Sequence, residues 1–351
     1  MGLTARIAGA VAGAAGIAAT GAAVGVAQRR RTIARRSGDQ APFGSLHSPA
    51  HTVITDDGVP LHVEVDEAPD AESPVTVVFV HGYSLNLDCW HFQRAAFRGL
   101  VRTVFYDQRS HGRSGRGPVT GGTIDQLGRD LKGVLDAVVP DGPVVLVGHS
   151  MGGMTIVALA ELHPELFAPD GKVVGVALIA TTAGGLDPAR LLLPLVPRRL
   201  SSGITDSTLR TLARGHRAVD GVRRLGRSIA TVVTDAYAFG DAVPQSYVEF
   251  VDDMLSATPF QVVAEFFPGM RELDKFDHVG VLGMIPTTII GGTADKLTSI
   301  GHSRKLHSRI PGSTLVECEG AGHMVILERH GQVNACLDQL LAAASAGSGA
   351  R

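Results

Sequence analysis

Cysteine is scarce in this 351-residue chain. Cys89, Cys318 and Cys336 are odd in number and far apart, which excludes a disulfide scaffold and matches no zinc-ligand spacing. Aromatic residues make up 5% and charged residues 19%, against 44% apolar. So little charge beside so much apolar material excludes a disordered chain. Neither sign of charge is in excess: 32 Lys and Arg face 34 Asp and Glu, for a net charge of −2. That balance gives no reason to expect nucleic acid as a partner. No internal repeat is present. At this length one large α/β domain carrying an insertion is expected in preference to two equal domains.

Basic charge is concentrated at the start. Residues 1–36 hold Arg6, Arg29, Arg30, Arg31, Arg35 and Arg36 and no acid, so the remainder is acidic on balance. Between them Ile7–Ala27, IAGAVAGAAGIAATGAAVGVA, carries no charge and is about the length a helix needs to cross a bilayer. Gly9 and Gly13, then Gly21 and Gly25, repeat the spacing that lets membrane helices approach closely. The preferred reading of 1–36 is an Ala/Gly-rich membrane anchor with a basic flank. Arginine stays on the cytoplasmic side, so the body would be membrane-associated and cytoplasmic, or simply cytoplasmic if no anchor forms. A cleaved secretory signal ending at Gly25-Val26-Ala27 is the rival, disfavoured by the arginine run behind it. A flexible Ala/Gly tail is the third reading. Residues 37–50 read as a polar linker and 343–351 as a flexible tail.

From residue 51 onward Val- and Ile-rich runs alternate with helix-period segments, the mark of a mostly parallel sheet covered on both faces. Strands are expected at 75–80, 103–106, 144–147, 173–180, 287–290 and 314–318, after a hairpin that turns at Asp57-Gly58. Helices are expected at 87–98, after a Thr123 N-cap, at 151–162, at 300–308 and at 327–341. Residues 185–276 break the alternation, with a basic segment at 210–227 and one apolar helix candidate at Tyr247–Phe267. The expected organisation is a core of 51–184 and 277–342 with a helical cap, 185–276, over the strands' C-terminal ends. Ligands bind at those ends in open α/β sheets.

The chemistry is expected at those same ends. Gly148-His149-Ser150-Met151-Gly152 is G-x-S-x-G with a strand before it and a helix after. The glycines permit a sharp turn that lifts the Ser150 hydroxyl clear of the backbone at a helix N-terminus, where negative charge is favoured. A hydroxyl is a weak nucleophile, so a base and a group orienting the base are required. His323, in Gly320-Ala321-Gly322-His323-Met324 after the 314–318 strand, is the base candidate among 14 histidines. His149 lies inside the elbow and points elsewhere, His163 sits at a helix end, and His302 and His307 lie on a surface helix. His81 more naturally shapes its loop. Asp295, in Gly291-Gly292-Thr293-Ala294-Asp295 after the 287–290 strand, is the orienting acid. Asp274 and Asp277 precede that strand and read as helix-end charges. The order Ser150, Asp295, His323 is that of the α/β-hydrolases. Backbone N–H groups of Met151 and Tyr83 are placed to hold an oxyanion.

HGYSLNLDCW (81–90), YDQRSHGRS (106–114), GHSMGG (148–153), GGTADKLT (291–298) and GAGHM (320–324) resemble the serine α/β-hydrolase superfamily, nearest its capped esterase and monoacylglycerol-lipase-like branch. The resemblance runs from about residue 50 to 342. It implies an α/β-hydrolase fold with a helical cap, a Ser150–Asp295–His323 triad, a Tyr83/Met151 oxyanion hole and no cofactor or metal. It also implies that Asp107 and Arg109 brace loops and that Trp90 packs. The expected function is hydrolysis of carboxylic esters, lipid-like small molecules by the apolar cap, through an acyl-enzyme. Epoxide hydrolases and haloalkane dehalogenases share the fold but attack with Asp, which Ser150 argues against. Cofactor-free haloperoxidases and perhydrolases, carbon–carbon bond hydrolases, thioesterases and a non-catalytic binding protein stay open. Oligomeric state is not legible.

Overall fold

A computed structural model describes residues 28–29, 31–33, 42–71, 74–118, 121–186 and 227–348. The anchor expected at 7–27, cap residues 187–226 and the last three residues lie outside that description. Among the described residues no helix is long and apolar enough to cross a membrane.

Among the described residues eight strands form one sheet, whose order, numbered along the chain as given below, is β1-β2-β4-β3-β5-β6-β7-β8. The first two, β1 (Ala50–Ile54) and β2 (Pro60–Asp66), form the expected antiparallel hairpin around Asp57-Gly58. β2 also pairs antiparallel with β4. The other pairings are parallel and join β3 (Thr76–Val80), β4 (Arg102–Tyr106), β5 (Val144–His149), β6 (Val173–Ile179), β7 (Thr287–Gly292) and β8 (Thr314–Cys318). The central strands β3, β5, β6 and β7 are buried along their whole length, which is why their sequences run apolar without alternating.

Side chains on successive positions of these strands feed two cores. Val77, Phe79, Val145 and Val147 face one layer, with α1 (His91–Phe97) and the C-terminal helix α9 (His330–Ser348) packed there through Phe97, Leu337 and Leu340. Val78, Val80 and Leu146 face the other, against α2 (Ile124–Val138), α3 (Met151–Leu162) and α7 (Ile300–Arg309). The Thr123 side chain caps α2 by accepting from Gln126 N–H. The helix expected at 87–98 begins with a 3₁₀ turn over Leu87–Trp90, and Trp90 is fully buried against Phe79. The last helix is two pieces, with α8 (Val325–Glu328) ending at Arg329 before α9.

The cap supplies α4 (Arg227–Ala238), α5 (Gln245–Ala257) and α6 (Phe260–Arg271). The single helix expected at 247–267 is therefore α5 and α6. Thr258-Pro259 separates them, because proline offers no N–H to a continuing helix and pushes the preceding residue to extended backbone. Cap and core meet above the C-terminal strand ends. Tyr83 after β3 donates its hydroxyl to the Val263 carbonyl of α6, and Thr258 donates to Ser84 O over 3.1 Å. Val262, Phe266 and Met270 of α6 pack on Ile124 and Leu127 of α2 and on Met151 and Met154 of α3. Ahead of the sheet, Phe43 stacks on Phe250 of α5 at 4.5 Å, and Arg29 pairs with Asp235 of α4 at 2.9 Å.

Candidate active site

At the end of β5 the chain turns abruptly into α3. The turn residue is Ser150, with φ +52° and ψ −118°. A non-glycine residue held there stores on the order of 1–3 kcal/mol of strain, and such strain gathers at functional sites. The flanking glycines are required by close approach. A Cβ on Gly152 would lie 2.0 Å from Val80 O, and one on Gly148 would lie 2.6 Å from the Gly152 backbone. Ser150 N–H donates to Ile179 O of β6 over 2.9 Å, and Thr181 Oγ1 donates to Ser150 O over 2.6 Å, so the turn is pinned from the neighbouring strand.

Three strand ends converge there. Ser150 Oγ lies 2.9 Å from His323 Nε2, and His323 Nδ1 lies 2.9 Å from Asp295 Oδ2. Carboxylate oxygens only accept, so Nδ1 carries the proton and Nε2 presents its lone pair to the hydroxyl. All three residues are buried, with Ser150 keeping 8% exposure and His323 7%. Burial alone would raise the Asp295 carboxyl. The facing imidazole and N–H or O–H donors from Leu297 and Thr298 outweigh it and hold the group below the usual aspartate value.

The loop after β3, where an oxyanion donor is expected, lies against the elbow. A Cβ on Gly82 would come within 3.1 Å of Ser150 Cβ, so the backbone leading to Tyr83 passes directly beside the hydroxyl-bearing residue. Met151 is the first residue of α3, where a helix leaves its N–H without an intrahelical partner. His81 is locked in the loop: Nδ1 donates to Gly82 O at 2.7 Å and Nε2 accepts from Gln108 N–H at 2.9 Å. Burial pushes it down to about 3, so it stays neutral. Asp107 accepts from Leu87 N–H and Arg113 N–H at 2.7 Å each, and Arg109 pairs with Asp57 and Asp130. Asp277 is ion-paired with Arg309 away from the site, and His302 Nδ1 lies 2.9 Å from Thr182 Oγ1.

Two contributors carried no sequence signal strong enough to single them out. Thr298 Oγ1 stands 2.8 Å from both Asp295 Oδ2 and Ala180 O, and 3.2 Å from His323 Nδ1. Its position three residues after the acid is the one local clue. Glu328 accepts from Gly322 N–H at 2.7 Å and from Gly240 N–H at 2.9 Å, tying the histidine loop to the end of the cap segment after α4. Burial raises this carboxyl above the usual glutamate value.

A model of the alpha/beta hydrolase family matches residues 77–335. The chain belongs to that family. This α/β hydrolase is similar to a polyketide synthase of Burkholderia thailandensis, 29% identical over 72% of the chain and 12% of the synthase, so it spans a small part of that relative's length. It is also similar to 3-oxoadipate enol-lactonase 2 of Acinetobacter baylyi, 24% identical over 76% of this chain and 88% of that one. Among solved structures, a thermophilic esterase from Thermogutta terrifontis shares the fold with a TM-score of 0.67 at 22% identity, over 85% of this chain and 100% of the other.

Proposed function

We propose that this α/β hydrolase cleaves carboxylic esters through an acyl-enzyme, with Ser150 as nucleophile, His323 as base and acid, and Asp295 as orienting acid. The observation that carries the reading is the unbroken run of two 2.9 Å contacts from the Ser150 hydroxyl through the imidazole to Asp295. Ser150 Oγ attacks the ester carbonyl and gives its proton to His323 Nε2. The imidazolium that forms is stabilised by Asp295. Backbone N–H groups of Met151 and Tyr83 receive the developing oxyanion, a role whose removal typically costs about 10²–10³ in rate. His323 then protonates the departing alcohol, water adds to the acyl-enzyme with His323 again as base, and the carboxylate leaves. Every step uses this chain's own groups and water.

The similarity to an enol-lactonase and an esterase, both named for ester chemistry, supports the reaction class. The apolar face that α6 of the cap turns toward the strand ends, through Val262 and Phe266, supports a lipid-like substrate over a polar one. Ser150→Ala should abolish p-nitrophenyl ester turnover with thermal unfolding intact. Wild-type turnover in that variant refutes the assignment, and a series of acyl lengths on the wild-type enzyme tests the apolar preference.

A further inference from the structure

The residue before Ser150 is a histidine that the proposed reaction leaves unused. His149 is fully buried, and its Nε2 lies 2.9 Å from the backbone carbonyl of His323. A carbonyl only accepts, so Nε2 carries the proton and donates. The two rings are 5.0 Å apart, and Trp90 stands edge-on to His149 at 6.3 Å. Nδ1 is then the lone-pair side. Among the described residues it has no hydrogen-bond partner, and it presses on Gly82, where a Cβ would approach to 2.8 Å. Burial and the facing His323 push this imidazole down to about 3, so it stays neutral and adds no charge beside the base.

A half-satisfied buried imidazole is a costly way to fill space, since an apolar ring of similar shape leaves no acceptor stranded. What the imidazole supplies and a phenyl ring cannot is one N–H aimed at the main chain of the base. We propose that His149 is a positioning residue for His323: the elbow dipeptide His149-Ser150 holds the base at two points, its ring through Ser150 Oγ and its backbone through His149 Nε2–H. The inference rests on the reading of Ser150 and His323 given above. His323 needs the second hold because it follows Gly320 and Gly322 in a loop. Once Oγ is esterified it no longer donates to Nε2, and the His149 bond becomes the elbow's remaining grip on the base. The bond therefore bears most on deacylation.

The test is a set of three variants assayed with a p-nitrophenyl ester. His149→Phe should lower kcat by roughly 10–100-fold, the scale of a small misplacement of a reacting group, with KM falling alongside it because slower deacylation lowers both. A pre-steady-state burst should grow, with acyl-enzyme visible by intact-protein mass. In His149→Gln the amide nitrogen reaches the place of Nε2 and restores most of kcat; in His149→Asn it falls short and does not. Should the Phe variant fail to fold, the Gln and Asn pair decides. Wild-type kcat in a folded Phe variant, or equal kcat in the Gln and Asn variants, overturns the proposal. Fluorophosphonate labelling keeps this apart from the parent reading. A wild-type protein that is neither labelled at Ser150 nor active on esters refutes the hydrolase itself, whereas a folded Phe variant that is labelled yet shows wild-type kcat and no larger burst refutes only the positioning role.

Discussion

Asp295 shows how a single buried carboxylate is kept charged. Four groups face it: the His323 Nδ1–H, the N–H groups of Leu297 and Thr298, and the Thr298 hydroxyl. Asp295→Asn leaves the volume intact and replaces an acceptor with an N–H donor toward His323, which favours the wrong imidazole tautomer. Its kcat should fall about 10⁴-fold with folding preserved, measured as steady-state ester hydrolysis beside a thermal melt. Ser150, Asp295 and His323 were legible as candidates because each lies in the turn or loop after a strand and stands among glycines. Thr298 was not, since a threonine in a polar loop looks the same whether it faces water or a carboxylate. His149 was legible only in part. Its neighbour's motif fixes that it turns away from the site, whereas its partner is a backbone atom from a segment distant in sequence, which no local pattern encodes.

Elements follow the sequence wherever apolar runs are long enough to be buried on both faces. β5 and β6 are continuous valine-rich runs, and α3 spans the expected 151–162; β8 also falls on the expected 314–318, although only Cys318 of it is buried. The misreading of 247–267 as one helix has a local cause. Apolar residues keep their helical spacing through Thr258-Pro259, yet proline ends α5 and starts α6 by its own geometry. Glu328 illustrates a different limit, because a glutamate within a short helix gives no hint that its carboxylate joins two loops. Glu328→Ala strips the acceptor from Gly322 N–H and Gly240 N–H in a mostly buried setting. It should destabilise the protein by about 2–3 kcal/mol in urea unfolding and lower kcat, since the loop it braces carries His323. A stability loss without any kcat change would separate the cap junction from the base.

Across the whole molecule, a layer of buried neutral histidines underlies the strand ends. His81 and His149 are held near 3 and His111 near 4, each chiefly by burial. Below the ordinary histidine value of 6.5 the unfolded chain takes up protons that these native rings refuse, so each of them makes stability rise with pH between its folded value and 6.5. Asp107, pushed up to about 6 by burial, works in the opposite sense over the lower part of that window. The histidine contribution can be isolated. His111 spends one ring nitrogen on Arg109 O and packs edge-on to Phe266 of the cap, so His111→Phe should keep the packing and remove one titrating group. Urea midpoints between pH 5 and 6 should then show a slope shallower by about 1.4 kcal/mol per pH unit than in the wild type. An unchanged slope would mean the ring is protonated in the native state.

The ends of β5, β7 and β8 each contribute one residue to the site, and the last of them arrives at position 323. A ribosome making this chain would expose the elbow, and then the acid, long before the base emerged. Until that late segment docks, the hydroxyl at 150 has no imidazole beside it. On the proposed chemistry a nascent or truncated product would be silent, and turnover would report that synthesis and folding have both run to completion.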